Sequence, residues 1–563
     1  MKSKASKDEN NLIYLSWIFV VWLVTYIICQ FAFPHLLGWD EISYMSVARG
    51  IAENFDFSGR SFTVMGLLKY GFPSNLINFP VFPVYIALFF KIFGVSQKVA
   101  YFSTWLAALF VCIFIYLIFQ KLTNCSKKTA FFVGISYLFF PTVLRNCDTA
   151  MMEQMGCLLL CIFTYVLIKD FEKGFNYFSA IKIGLFLLLL WLYKTLFTGI
   201  IAGALIFILL SYSSKLIGKK INSKIPVYVF VIISYSLFIV LFWIAKHYIF
   251  YPVAPMMNFH PSQELNQVYA DFLGGLFNDF PKNIISNIHA FVTVILGSYF
   301  IYPSGLKAYT GEYATYQNSI LTMVSFYFLI GIYIFLFFVM IVMMFPSWKK
   351  LNLLSRVFMC FSLGSILLFN LSLMIVFKVY HENFWRYNSY YLPLYICSLA
   401  VLLYVNIDFL KPFKTEHPRA SRILLGMFLC FFYVPLFLST INHYNYYERS
   451  FYERANRNAE LIRNFVKDSK PAFVYFNDGI HTTFTDYPIR QIFKDATNEQ
   501  ILQVNDILPS PVEYLFLHQY DWLFQINKEK ILMAEPILNN QYKMFGYTND
   551  SSVVVYKYSP VTN

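Results

Sequence analysis

Repeated apolar runs, each long enough to cross a bilayer as a helix, decide the solvent of this chain before any other feature is read. Leu12–Phe33 and Tyr101–Phe119 are the first two, and both reach the roughly 18–20 residues that cover the hydrocarbon core. Only 13% of the residues are charged and 58% are hydrophobic, whereas about a quarter are charged in soluble domains. No single run dominates, so the pattern is that of a bundle.

The net charge of +13 follows from topology, since membrane proteins keep their excess Lys and Arg in cytoplasmic loops; we read no nucleic-acid partner from it. Basic clusters fall at Lys2–Lys7, at Lys121 with Lys127 and Lys128, at Lys169–Lys182, Lys215–Lys224, at Lys349 with Lys350 and Arg356, and at Lys411–Arg422. Spans near 11–33, 99–121, 129–146, 151–169, 178–197, 198–214, 226–250, 318–345, 353–379, 388–408 and 421–441 place these clusters on one side, giving about eleven crossings. The N-terminus is then cytoplasmic and the C-terminus outside. Lys2, Lys4 and Lys7 precede an apolar run that exceeds the roughly 7–15 residues of a signal core and lacks a small-residue cleavage site, so it reads as an uncleaved anchor.

Two apolar segments fit poorly as spans. Phe79–Gly94 is proline-rich at its start and Ile285–Tyr302 is interrupted by polar residues; both read as helices at the outer interface. Outer loops are long, at 34–98, 251–317 and 442–563. After residue 445 the apolar runs shorten: Glu460–Lys467 reads as helix, Ala472–Phe476, Tyr514–Leu517 and Val553–Tyr558 as strands, and Thr548-Asn549-Asp550 as a hairpin turn. The fold class is thus an all-α polytopic membrane bundle with interfacial helices, residues 1–444, followed by a small extracytoplasmic α/β domain, residues 445–563. All nine cysteines lie in or beside apolar spans, a distribution that indicates no disulfide framework.

Chemistry, on this layout, belongs outside. The first outer loop opens Gly38-Trp39-Asp40-Glu41-Ile42-Ser43-Tyr44, and paired carboxylates there can activate a hydroxyl or hold a divalent ion. The same pair also suits an ordinary solvated helix start, where the helix dipole favours anions. Asn78-Phe79-Pro80-Val81-Phe82-Pro83-Val84-Tyr85 leads into an apolar helix that ends Lys91-Ile92-Phe93-Gly94. Later, Glu382-Asn383-Phe384-Trp385-Arg386-Tyr387-Asn388-Ser389-Tyr390-Tyr391-Leu392-Pro393 opens a late span, and Arg145–Glu153 sits at the outer junction of the third and fourth spans.

In order and sidedness these segments resemble the GT-C membrane glycosyltransferases, the group that includes protein O-mannosyltransferases and the aminoarabinose transferases of lipid A. The resemblance implies a polyprenyl-phosphate sugar donor whose tail stays among the membrane lipids, and an envelope glycan, lipid or protein acceptor. Asp40 is then the candidate base for the acceptor hydroxyl, in a single inverting displacement. Glu41 orients Asp40 or a loop, and a divalent metal at Asp40 and Glu41 is a further option. Arg386, whose guanidinium matches phosphate oxygens bidentately, is the candidate for the leaving phosphate; alone it would read as an interfacial anchor. Lys194, costly inside hydrocarbon, is a second phosphate ligand, the partner of an internal carboxylate, or a surface-turn lysine. Tyr44, Arg145, Glu153, His381, Glu382 and Tyr387 are candidate lining. One departure stands out: relatives acting on lipid A often carry Lys before paired prolines, whereas here Asn78 precedes Phe79-Pro80 and the second proline is Pro83. Lys69 is the candidate substitute.

Three other functions remain open on sequence. An O-antigen polymerase or ligase would also join lipid-linked sugars outside, but the early Asp-Glu pair and the soluble tail count against it. A transporter or flippase would line a path with charges such as Lys194, but long outer loops are less expected there. A sensor or assembly protein would need only one anchor. The richness in Lys, Ile, Asn and Phe fits a bacterial inner membrane, with the endoplasmic reticulum as the alternative.

Overall fold

The computed structural model describes residues 2–32, 39–55, 61–63, 68, 81–194 apart from 148 and 175, 197, 200–205 apart from 202, 225–245, 342–376 and 389–406. Towards the C-terminus it describes 460–466 apart from 463, 473–476, 490–493, 498–518 apart from 509, 541–547 and 553–559. The expected interfacial helix Ile285–Tyr302, the outer loop 251–317, the span 421–441 and most of the spans 198–214 and 318–345 lie outside the described residues.

Long helices run back and forth between two chemically distinct ends. α1 (Lys2–Ala32), α4 (Gln97–Thr123) and α7 (Met152–Lys173) contain the three segments that, among the described residues, are long and apolar enough to cross a membrane. α3 (Val81–Phe93), α8 (Tyr177–Tyr193), α9 (Ile225–Ala245), α10 (Leu353–Val376) and α11 (Leu392–Val405) are or contain shorter apolar helices. The described residues thus hold three helices of spanning length, and the expected count of about eleven is not reached among them.

At one end lie the described lysine clusters, those around Lys121–Lys128, Lys169–Lys182 and Lys349–Arg356, while Lys215–Lys224 and Lys411–Arg422 lie outside the described residues. Lys121 at the close of α4 pairs with Glu172 at the close of α7, and Lys182 in α8 meets Asp170 at 2.7 Å. Nearby, Asn352 Nδ2 and Ser355 Oγ both donate to the Leu122 carbonyl, at 2.7 and 2.6 Å, which ties the start of α10 to the end of α4. The partly exposed Lys121–Glu172 pair stabilises little, while Asp170 is buried; both pairs are informative for position, because they put segments separated in sequence at the same level.

The expected single span 129–146 is instead broken. α5 (Lys127–Ser136) gives way to a 3-10 turn (Tyr137–Phe139) and then to α6 (Pro141–Cys147). Phe140 is extended, φ −74° and ψ 126°, because a residue before proline is pushed out of the helical region, while Pro141 itself is well placed at a helix start, where its missing N–H costs nothing. Central to the bundle, α4 starts at a Ser96 cap whose hydroxyl oxygen accepts from Val99 N (3.2 Å) and ends on left-handed Asn124. Trp22 of α1 donates its indole N–H to the Trp105 carbonyl at 2.7 Å.

Beyond the bundle lies a sheet whose order, among the described residues, is β1-β3-β2-β4-β6-β5. β2 (Phe473–Phe476), β4 (Tyr514–His518) and β6 (Val553–Tyr558) match the three expected strands. β3 (Arg490–Phe493) and β5 (Tyr542–Tyr547) are additional, and β5 pairs antiparallel with β6; the expected turn Thr548-Asn549-Asp550 between them lies outside the described residues. α2 (Trp39–Asn54) leads towards β1 (Ser61–Thr63), so the edge strand comes from the first long loop and runs parallel to β3 with Phe62 opposite Ile492.

Both faces of the sheet are covered, which explains why β2 is buried at every position. On one face Phe473, Tyr475 and Leu515 pack on Ile501 and Val504 of α12 (Asn498–Ile507), with Leu68 of the first loop against the same cluster. On the other, Val474, Phe476 and Phe516 pack on Leu461, Ile462 and Val466, with Phe476 and Phe516 stacked at 4.5 Å. The β1–β3 pairing is directly testable. Adjacent strands lie roughly 4.8 Å apart, inside the Cα range of a disulfide. Phe62→Cys with Ile492→Cys is therefore expected to give a cross-linked peptide on mild oxidation, seen by mass spectrometry, whereas Phe62→Cys with Arg490→Cys is not.

Candidate functional site

Opposite the lysine-bearing end, polar side chains enter the bundle. Asp40 and Glu41 stand in the first turn of α2, where unpaired backbone N–H groups and the helix dipole favour carboxylates. Glu41 is not the solvated cap of an ordinary helix start: it is 2% exposed and its Oε2 accepts from the Tyr101 hydroxyl at 3.4 Å. Tyr101 in turn accepts from Gln97 Nε2 at 2.5 Å. One turn along α2, Tyr44 sits edge-on to Phe82 with ring centroids 5.3 Å apart, docking α2 onto α3. The Tyr85 hydroxyl then joins α3 to α4 by donating to the Ser103 carbonyl at 2.8 Å.

The break after α5 supplies the next layer. Arg145 lies in α6, and Thr104 Oγ1 donates to the Cys147 carbonyl at 2.8 Å. Gln154, fully buried, accepts from the Tyr137 hydroxyl at 2.8 Å and donates to the Val143 carbonyl at 3.2 Å. Beside it, Glu153 is fully buried in the first turn of α7.

Where α8 ends, Tyr193 donates its hydroxyl to the Met152 carbonyl, and Glu153, Tyr44 and Tyr85 all lie within electrostatic reach of that phenol. Lys194 caps α8 in extended conformation. Its Nζ donates to the Tyr390 hydroxyl at 3.3 Å and stands 5.2 Å from the centre of the same ring, a distance at which the ring face attracts a cation. Tyr390 belongs to a 3-10 turn (Ser389–Tyr391) directly before α11.

Of the residues singled out from sequence, Glu41, Tyr44, Glu153 and Lys194 therefore come to one end of the bundle, with Asp40 and Arg145 in α2 and α6. Lys69, His381, Glu382, Arg386 and Tyr387 lie outside the described residues. Tyr390 is the functional candidate that sequence reasoning missed. Its signal was its position, four residues after Arg386 and at the head of a span. Chemically, this end offers buried carboxylates suited to proton transfer and a lysine suited to an anion. Among the described residues, no three His, Cys, Asp or Glu side chains cluster as metal ligands would.

This arrangement of helices is shared with two solved structures. The crystal structure of ArnT from Cupriavidus metallidurans bound to undecaprenyl phosphate superposes with a TM-score of 0.53, at 11% identity, over 97% of each chain. The Archaeoglobus fulgidus oligosaccharyltransferase, solved in complex with Zn and sulfate, gives 0.52 at 12% identity, over 97% of this chain and 74% of its own. No protein-family model matches the sequence, and no curated protein does. The protein thus shares its overall fold with these two solved structures.

The layer around Gln154 yields a stability prediction. Tyr137→Phe leaves a buried carbonyl oxygen without its donor, which costs about 1–3 kcal/mol. The purified variant is expected to unfold at lower temperature than the parent in the same detergent, and an unchanged midpoint would show that Gln154 is satisfied by other means.

Proposed function

We propose that this protein transfers a sugar from a polyprenyl-phosphate donor to an acceptor hydroxyl on the extracytoplasmic face of a bacterial inner membrane. The observation that carries the reading is the likeness of fold, over almost the whole of both chains, to an ArnT structure that holds undecaprenyl phosphate. Burial of Glu41 and Glu153 at the end where Lys194 is anchored supports it. So does the gathering of lysine-rich segments at the opposite end, since such segments stay cytoplasmic.

In this mechanism the lipid tail remains in the bilayer while phosphate and sugar enter the polar end of the bundle. Asp40 accepts the proton of the acceptor hydroxyl, whose oxygen attacks the anomeric carbon; the bond to the phosphate oxygen breaks and the configuration inverts. Arg386 and Lys194, with Lys69 as a further contributor, take up the charge that grows on the leaving phosphate. Glu41 holds the start of α2 through Tyr101, and a divalent ion at Asp40 and Glu41 is the variant of this scheme that chelation would expose. Residues 1–444 form the catalytic unit and 445–563 the extracytoplasmic domain.

Transfer of radiolabelled sugar from extracts containing polyprenyl-phosphate sugars provides the test. Loss of a general base lowers rates by about 10²–10⁴-fold, so Asp40→Asn at equal expression is expected to reduce transfer to that extent, and Arg386→Ala likewise to a large degree. Full activity of both variants would remove the site assignment. An intact protein that transfers nothing, yet moves lipid-linked sugar across vesicles, would make it a flippase.

A further inference from the structure

We propose that Tyr390 is a positioning residue that fixes the Lys194 ammonium at the polar end of the bundle, and that Gly156 exists to admit its ring. This deepens the reading above and rests on it for the identity of the anion. Lysine carries its charge on a flexible four-carbon stem, so a lysine that must meet one phosphate gains from a partner that limits where the ammonium can stand. Tyr390 supplies such a restraint, a hydroxyl 3.3 Å from Nζ with the ring centre 5.2 Å away.

The ring itself is held on all sides. It is fully buried, edge-on to Phe197 at 5.0 Å and to Phe369 at 6.3 Å, while its backbone carbonyl accepts from Cys157 Sγ at 3.8 Å. Against α7 it fills the space a side chain would otherwise occupy: a Cβ at position 156 would lie 2.4 Å from Tyr390 Cε1 and 3.0 Å from Tyr193 Cε1. Gly156 thus acts on Lys194 through Tyr390. A ring needed only for packing would be served by phenylalanine, as Phe197 and Phe369 show beside it; the hydroxyl is what reaches the lysine.

Two measurements on the detergent-purified full chain separate this proposal from the functional reading. The first is the rate at which an amine-reactive ester modifies Lys194, followed by mass spectrometry of its peptide. Losing a charge-assisted hydrogen bond changes such an equilibrium by about ten-fold, so Tyr390→Phe is expected to speed modification by about that factor. Tyr391→Phe, the neighbouring control, should leave it unchanged.

The second is binding of undecaprenyl phosphate. Wild type binds, Tyr390→Phe binds more weakly by roughly three- to ten-fold, and in a Lys194→Ala background the same substitution has no further effect, because the two residues act as one unit. Gly156→Ala should reproduce Tyr390→Phe in both measurements; if it does not fold, the nearly isosteric Tyr390→Phe decides alone. Unchanged labelling of Lys194 in Tyr390→Phe overturns the positioning role whatever the protein binds. Faster labelling without any binding of undecaprenyl phosphate by wild type keeps the Tyr390–Lys194 coupling and removes the lipid-phosphate reading.

Discussion

Hydrocarbon offers no water to an unpaired backbone group, and nearly everything in this protein is arranged around that fact. Helices satisfy their own N–H and C=O groups, so the apolar runs have little choice of structure. The same condition makes each interruption informative. Where the 3-10 turn after α5 ends at Phe140, α6 starts afresh: Val143 and Leu144 both donate their N–H to the Phe140 carbonyl, and the Val143 carbonyl accepts from Gln154. A break that in water would be a mere kink becomes here the seed of a buried polar layer that includes Thr104, Tyr137 and Gln154.

That logic separates what could be read in the sequence from what could not. Helices α4, α7, α8, α10 and α11 stand within a few residues of their expected limits, because apolar length and flanking charge suffice to define them. Strands β2, β4 and β6 were legible because their β-branched and aromatic runs are bounded by turn residues. The 129–146 span was misread as continuous: its hydropathy is that of a span, and only the conformational restriction that Pro141 places on Phe140 divides it. β1 was invisible, since three residues carry no periodicity and its partner lies near the other end of the chain.

For the site, single residues were legible and relationships were not. Glu41 and Lys194 attract notice as charges beside apolar runs, but an ordinary helix start and a surface turn explain them equally well from sequence. The burial of Glu41 beside Tyr101 and the hydrogen bond from Lys194 to Tyr390 add what those readings lack, and both depend on side chains far apart in the chain. Tyr390 drew no attention because an aromatic residue at the head of a span is commonplace; it acquires meaning from Gly156, whose missing side chain is itself a feature of a different helix.

The strand lent by the first loop also sets an order of events during synthesis. Ser61–Thr63 leave the ribosome early, soon after the first helix, but the strand they pair with is made only when the chain is almost complete. Until then the α2 segment has been delivered without the sheet that will anchor it, while later helices are still being inserted. Joining distant ends costs little extra free energy because closure entropy grows only logarithmically with loop length, yet it makes the pairing slow. Assembly of the loop that carries Asp40 and Glu41 is accordingly among the last steps of maturation, so a chain cut short in translation stays without its anchored loop, however well its helices have been inserted.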